Sequence, residues 1–383
     1  MPSVYLDHAA TSFPKAPGVA EAMGRYLTEV GASVNRGMYA AAQAAEETVL
    51  SLREELCALF HYPDPACCIL TPGATWGLNF VLLGLLRPGD HCLVSAMEHN
   101  AIMRPLHALA ARGVAFDRIP CDRDGRLCPD AIPRLLRPNT RLVALAHASN
   151  VSGTLQPAAE VGAICRARGI PFLLDAAQTA GHLPVDFQAL GLSALAAPGH
   201  KGLLGPQGTG VLLLTRELAQ SLSPVITGGT GSVSHLEVQP DYLPDKFEPG
   251  TPNLPGLYGL EAAVRYLLET GVETIAARED ALTGRFLDGL REIAGIRLAG
   301  PAGRDGRVGV ISLDFPGRDN GEIAFRLEQE YGILTRSGLH CAPSAHRTLG
   351  TGTRGTVRFS LGHSTTEAEI DAALQAIRAL AEG

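Results

Sequence analysis

Between residues 66 and 215 short apolar runs recur at intervals, separated by longer mixed segments, and this alternation constrains the fold more than any other feature of the chain. The runs are Cys68–Leu70, His91–Ser95, Arg141–His147, Ile170–Leu174, Ala194–Ala197 and Gly210–Leu214. Between them lie stretches such as PAAEVGAICRARG, with apolar residues at helical spacing and Gly169 as a stop signal. Strands that alternate with helices build an open α/β layer with a mainly parallel sheet. At 383 residues the chain exceeds the usual size of a single core. The expected division is a large α/β domain over 15–255 and a smaller α+β domain formed by 1–14 and 256–383, with a linker around DKFEPGTPNLPG.

Ligands of open α/β sheets sit beyond the carboxyl ends of the strands, so the residue types just after each run bear on function. The runs end in TPGATWGLN, AMEHN, AHASNVSGT, DAAQTAGH and PGHKG. These segments direct Thr75, His99, Asn150, Asp175, Gln178, His200 and Lys201 towards one face. Lys201 lies among glycines in APGHKGLLGPQGTG, where a desolvated amine can reach an aldehyde as a Schiff-base lysine; a solvated turn lysine is the alternative. Each of its companions suits one part of pyridoxal phosphate. Gly73, Ala74 and Thr75 open a helix whose free N–H groups can take the phosphate, unless Thr71 or Thr75 is a plain N-cap. Asp175 can pair with the pyridine nitrogen or cap the next helix. His99 can lie over the ring and exchange protons. Gln178 and Asn150 offer neutral hydrogen bonds to the ring hydroxyl or the substrate, and His200 can reach the phosphate.

In the C-terminal third, GVISLDF, GILTRSGLHCAPSAH and TVRFSLGHS supply the expected strands. TTEAEIDAALQAIRAL reads as a closing helix with a Thr366/Glu369 capping box and a buried stripe of Ile370, Ala373, Leu374 and Ile377. Arg358 lies on the TVRFS strand amid apolar and small residues, where a guanidinium needs an anionic partner. That partner is either a substrate carboxylate or a structural carboxylate. Cys341, beside His340 in a loop punctuated by glycine and proline, is a candidate nucleophile, since a neighbouring base or cation lowers a thiol's pKa.

The formal charge of -7 offers no broad attraction to nucleic acid or to anionic membrane. No apolar run is long enough to span a bilayer, and the first residues lack the pattern of a signal peptide. A cytoplasmic location is expected. The eight cysteines form no CxxC pair, which argues against zinc, and the vicinal Cys67 and Cys68 read as small core residues. A reducing compartment fits them.

The segments YLDHAATS, TPGATWGLN, MEHNAI, HASNVSGT, DAAQTAGH, PGHKGLLGPQGTG, FEPGTPN, RSGLHCAP and VRFSLG occur in that order from about residue 4 to 362. Together they resemble the class V aminotransferase superfamily of fold-type I pyridoxal-phosphate (PLP) enzymes, and they are most similar to group II cysteine desulfurases and selenocysteine lyases. The resemblance implies a homodimer that converts L-cysteine or L-selenocysteine to L-alanine and passes sulfur to Cys341 as a persulfide. A sulfur-acceptor protein or thiol reductant would then take the sulfur, as in iron–sulfur cluster assembly. By resemblance Lys201 carries the cofactor, Asp175 meets its ring nitrogen and His99 stacks on it. Ala74, Thr75 and His200 hold the phosphate, joined by Thr251 of a second subunit. Gln178 and Asn150 supply polar contacts, Arg358 takes the substrate carboxylate, and Arg36 and the Asp7–Ala9 loop line the pocket entrance.

The chain departs from the family pattern at several places. Pro198 stands where a hydroxyl residue is common, and Leu339 where a second histidine is common. The sequence begins almost at YLDHAATS, where the family pattern leads one to expect an N-terminal extension, and GGTGSVSHLEVQPDYLPDK reads as shortened. Selenocysteine lyase activity remains open at this point, as does a class V aminotransferase or carbon–sulfur lyase in which Cys341 is incidental.

Overall fold

A computed structural model describes residues 3–35 and 37–382; Arg36 lies outside the described residues. Helices α1 (Val19–Arg25) and α2 (Ala40–Leu59) precede strand β2 (Cys68–Thr71), and the first strand, β1 (Val4–Tyr5), belongs to another layer. The chain then alternates: α3 (Ala74–Leu85), β3 (His91–Ser95), α4 (Asn100–Ala110), β4 (Ala115–Ile119), the one-turn α5 (Ile132–Leu135), β5 (Thr140–Ala146), α6 (Ala158–Arg168), β6 (Phe172–Asp175), β7 (Ala194–Pro198), β8 (Gly210–Leu214) and α7 (Arg216–Ser221). The seven strands form one sheet in the order β2-β8-β7-β6-β5-β3-β4. Four of its six pairings are parallel, and β8 alone runs against both neighbours.

Side chains alternate across a strand, so each run feeds two cores. Leu93, Val143, Leu145, Leu174, Leu195 and Leu213 face α2, α6 and the later helix α8 (Leu254–Thr270). Their neighbours Val94, Leu142, Ala144, Leu173, Ala196 and Leu212 face α3, α4 and α7. A sheet covered on both sides needs continuous apolar strands, and this is why the runs were visible in the sequence. The exception is β4, AFDRI, an edge strand that is half-exposed for most of its length and carries two charges.

The C-terminal part contains α9 (Val272–Arg291), β9 (Arg297–Ala299), β10 (Val310–Asp314), α10 (Asn320–Tyr331), β11 (Ile333–Leu334), β12 (Arg336–Gly338), α11 (Pro343–Thr348), β13 (Thr356–Ser360) and α12 (Glu367–Glu382). Strands β12-β13-β10-β9 form an antiparallel sheet packed on α9, α10 and α12, and β1 pairs with β11. The capping box of α12 is present, with Thr366 N donating to Glu369 (2.8 Å) and Glu369 N donating back to the Thr366 hydroxyl (3.3 Å).

GILTRSGLHCAPSAH supplies two short strands, β11 and β12, followed by a turn at Cys341 and by α11. Two expectations differ from the structure. Leu374 is only half-buried, packed at the margin of the core, and Ala376 and Leu380 complete the stripe. The supposed linker around 245–256 is packed: Lys246 and Phe247 are buried, and Glu248 makes a two-pronged ion pair with buried Arg53. Among the described residues no helix is long and apolar enough to cross a membrane.

Candidate active site

The carboxyl ends of β3, β5, β6 and β7 and the start of α3 enclose a cavity of about 440 Å³. Its walls include Gly73, Ala74, Thr75, Trp76, His99, Asn150, Asp175, Gln178, Pro198, His200 and Lys201. The seven residues singled out at the strand ends therefore converge on one space. Small side chains, Ala101, Ala146, Ala148 and Ala177, keep it open.

At one end lies the start of α3. Gly73 has φ 156° and ψ 170°, a backbone region open essentially to glycine alone. No side chain caps the helix, and the Thr71 hydroxyl donates instead to the Gly73 carbonyl (3.1 Å). The first N–H groups and the positive end of the helix dipole are left to the cavity, an arrangement suited to an anion.

Asp175 closes β6 and is buried, its Oδ1 accepting from the Ala177 N–H at 3.0 Å. Burial pushes its carboxyl pKa up, against the Ala177 amide and the positive charge of Lys201. A cation set against this carboxylate is the natural way to keep it ionised. Burial also lowers the Lys201 amine to about 8; Asp175 opposes that shift and Arg358 adds to it. This is no solvated turn lysine, and among the described residues its Nζ makes no hydrogen bond.

The histidines of the cavity are neutral. His99 is the N-cap of α4 and its Nδ1 accepts from Ala101 N (3.0 Å), so its proton resides on Nε2. Burial, with the charges of Lys201, Arg358 and Arg104, depresses it to about 4. His200 is likewise depressed to about 4, by burial and by Lys201 and Lys15, and its Nδ1 meets the Thr11 hydroxyl at 3.1 Å. Gln178 Nε2 donates to the Ala9 carbonyl (3.1 Å), which places Ala9 behind Gln178, outside the cavity lining.

Arg358 is buried on β13 and has a partner from its own chain. Its Nη2 donates to Asp7 Oδ1 (2.8 Å) and its Nη1 to the Asn150 carbonyl (3.2 Å), while Nε is buried without a partner among the described residues. The structural ion pair weighed from sequence is therefore present, and the Nε proton and one proton on each Nη are left over. Asp7 also accepts from Arg336 Nε and Nη2 (3.1 and 3.0 Å), so one carboxylate bridges two arginines that face each other across β12 and β13.

Cys341 is exposed at the end of a turn between β12 and α11. His340 and Cys341 both have positive φ (48° and 57°), uncommon for side chains of their size. His340 does not supply the base or cation to the thiol that its adjacency suggested. Its ring is buried against Thr356 (3.1 Å), and burial together with the Arg358 and His346 charges holds it neutral, well below the usual histidine range. Thr251 lines a second cavity of about 620 Å³, which shares Pro72 and Trp76 with the first.

Two residues at the site were missed from sequence. Trp76 walls both cavities, and its signal was the unused aromatic in TPGATWG. Glu98, immediately before His99, is fully buried under the β3 and β5 ends, accepts from Ser95 N (3.2 Å) and Ala146 N (2.9 Å), and is pushed up to about 8 by burial.

The sequence matches the aminotransferase class-V family over residues 4–373. It is 35% identical to a probable cysteine desulfurase of Methanothermobacter thermautotrophicus over 374 residues, 96% of this chain and 92% of that protein. It is 35% identical to a cysteine desulfurase of Klebsiella pneumoniae over 391 aligned residues, 99% of this chain and 94% of that one. The fold superposes on the apo structure of a cysteine desulfurase from Thermococcus onnurineus with a TM-score of 0.92 and 31% identity, covering 100% of this chain and 95% of that one. The S-sulfonic acid form of the Escherichia coli cysteine desulfurase CsdA gives 0.88 and 31%, covering 99% and 95%.

Proposed function

The chain belongs to the class-V aminotransferase family, and from that premise we propose that it is a PLP-dependent cysteine desulfurase: L-cysteine and the Cys341 thiol give L-alanine and a Cys341 persulfide. The observation that carries the proposal is the pairing of a desolvated Lys201 amine with buried Asp175 in one cavity that opens on an uncapped helix start.

The residues present fit the cofactor on the same grounds. The uncapped start of α3, with Ala74 and Thr75, would hold the phosphate, joined by His200 as a neutral donor. Asp175 would pair with the protonated ring nitrogen, and His99 would cover the ring face. When bound, pyridoxal phosphate supplies an electron sink for the pair released at the substrate carbon. Lys201 Nζ, partly unprotonated near neutral pH, takes the proton from the substrate Cα and returns one to the carbon chain. His99 presents an Nε2 proton fixed by its Nδ1 bond to Ala101. Arg358, held by Asp7 at Nη2 and by the Asn150 carbonyl at Nη1, would offer its remaining N–H groups to the substrate carboxylate. The Cys341 thiolate attacks the substrate sulfur, the carbon–sulfur bond breaks, and its electron pair is left on carbon and then protonated.

A homodimer belongs to the proposal, with Thr251 of a second copy reaching the phosphate, and a sulfur-acceptor protein or thiol reductant receives the persulfide in the cytoplasm. L-selenocysteine is an alternative substrate of the same site. The test is a borohydride-sensitive visible absorption band in the purified protein, with alanine released from L-cysteine in wild type and not in Cys341→Ser. A coloured protein that forms pyruvate, or consumes a keto acid, would send the substrate assignment elsewhere.

A further inference from the structure

The Cys341 turn follows the antiparallel layer, yet the hydrogen bonds that fix its carbonyls come from the large-sheet side: one from the cavity wall and one from the start of α4. Asn150 Nδ2 donates to the His340 carbonyl at 2.6 Å, and Asn100 N, at the start of α4, donates to the Cys341 carbonyl at 2.8 Å. Within the turn, Ala342 N closes on the Leu339 carbonyl (2.9 Å). His340 and Cys341 are both left-handed, and such residues persist only where surrounding contacts over-determine them. Asn150 is buried, walls the cavity, and accepts Arg358 Nη1 on its own carbonyl. A carboxamide carries two N–H donors, so the amide bonded to His340 has a second proton and an oxygen to offer the cavity.

We propose that Asn150 is a positioning residue for the nucleophile: its side-chain amide ties the Cys341 turn to the cavity wall, so that a group bound in the cavity stiffens the turn through the same amide. The importance of the turn rests on the desulfurase reading; the tether itself does not. Neighbouring wall residues do not share this geometry. Gln178 bonds to Ala9, and His99 bonds to Ala101 within its own helix.

The test is hydrogen exchange of the segment 338–342 and the rate of Cys341 alkylation by iodoacetamide, in the full-length protein with and without added pyridoxal phosphate. Loss of one buried amide hydrogen bond should speed both by about threefold to tenfold in Asn150→Ala. Asn150→Asp, the same size without the N–H donor, should match it, and the cofactor should slow exchange of the turn in wild type but not in either variant. Gln178→Ala should leave the cofactor-free turn unchanged. Wild-type exchange and alkylation rates in both Asn150 variants would overturn the tether, as would an equal effect from Gln178→Ala. If Asn150→Ala does not fold, the isosteric Asp variant carries the test. Failure of wild type to release alanine would contradict the desulfurase reading and leave these exchange rates still informative.

Discussion

Asp7→Ala should destabilise the protein out of proportion to the exposure of the residue. The carboxylate sits 2.8 Å from Arg358 Nη2 and 3.0 Å from Arg336 Nη2. Those arginines are directly opposed across β12 and β13, where like charges repel. Arg358 is 3% exposed, so truncating Asp7 strands a buried cation, for which the general cost is about 3–5 kcal/mol. Arg336 is half-exposed, and its share, both lost attraction and new repulsion, is screened to less than about 1 kcal/mol. The expected loss in urea unfolding is therefore about 3 kcal/mol for Asp7→Ala, with Asp7→Asn losing less because it keeps an oxygen acceptor. Arg336→Ala alone should cost about 0–1 kcal/mol. In an Arg358→Met background, where no buried cation remains, Asp7→Ala should cost little. An unchanged cost in that background, or a loss under about 1 kcal/mol in wild type, would refute the reasoning.

Two further outcomes follow from the site. Burial lowers Lys201 to about 8, so its neutral, reactive form should accumulate as pH rises through about 8; capture of added pyridoxal phosphate by cofactor-free protein should follow that midpoint, and a midpoint near the ordinary value of 10.5 would contradict it. A Cβ at Gly202 would lie 2.3 Å from the Ala180 carbonyl and 2.5 Å from the His182 ring, so Gly202→Ala should displace the Lys201 backbone and lower cofactor retention at least about tenfold, measured by absorbance after dialysis.

The strands of the seven-stranded sheet could be read because burial on both faces demands apolar runs, and β4 could not because an edge strand is free to carry Asp117 and Arg118. The reversal of β8 leaves no local signal. Lys201, Asp175 and the start of α3 were legible through the rule that ligands gather at strand ends. The Asp7–Arg358 pair joins positions 351 residues apart, and nothing local in YLDHAATS or TVRFS couples them. His340 shows the same limit from the other side: adjacency to Cys341 suggested an acid–base partner, but the turn sends the ring into the interior, where it stays neutral.

In the proposed reaction sulfur leaves L-cysteine by way of Cys341. The most direct measurement is a single turnover with L-cysteine, quantifying alanine while mass spectrometry follows the Cys341 peptide in wild type and Cys341→Ser. Transfer through Cys341 gives one alanine per persulfide on that peptide, and neither in the variant. Full alanine release by Cys341→Ser, or a persulfide on another cysteine, would contradict it.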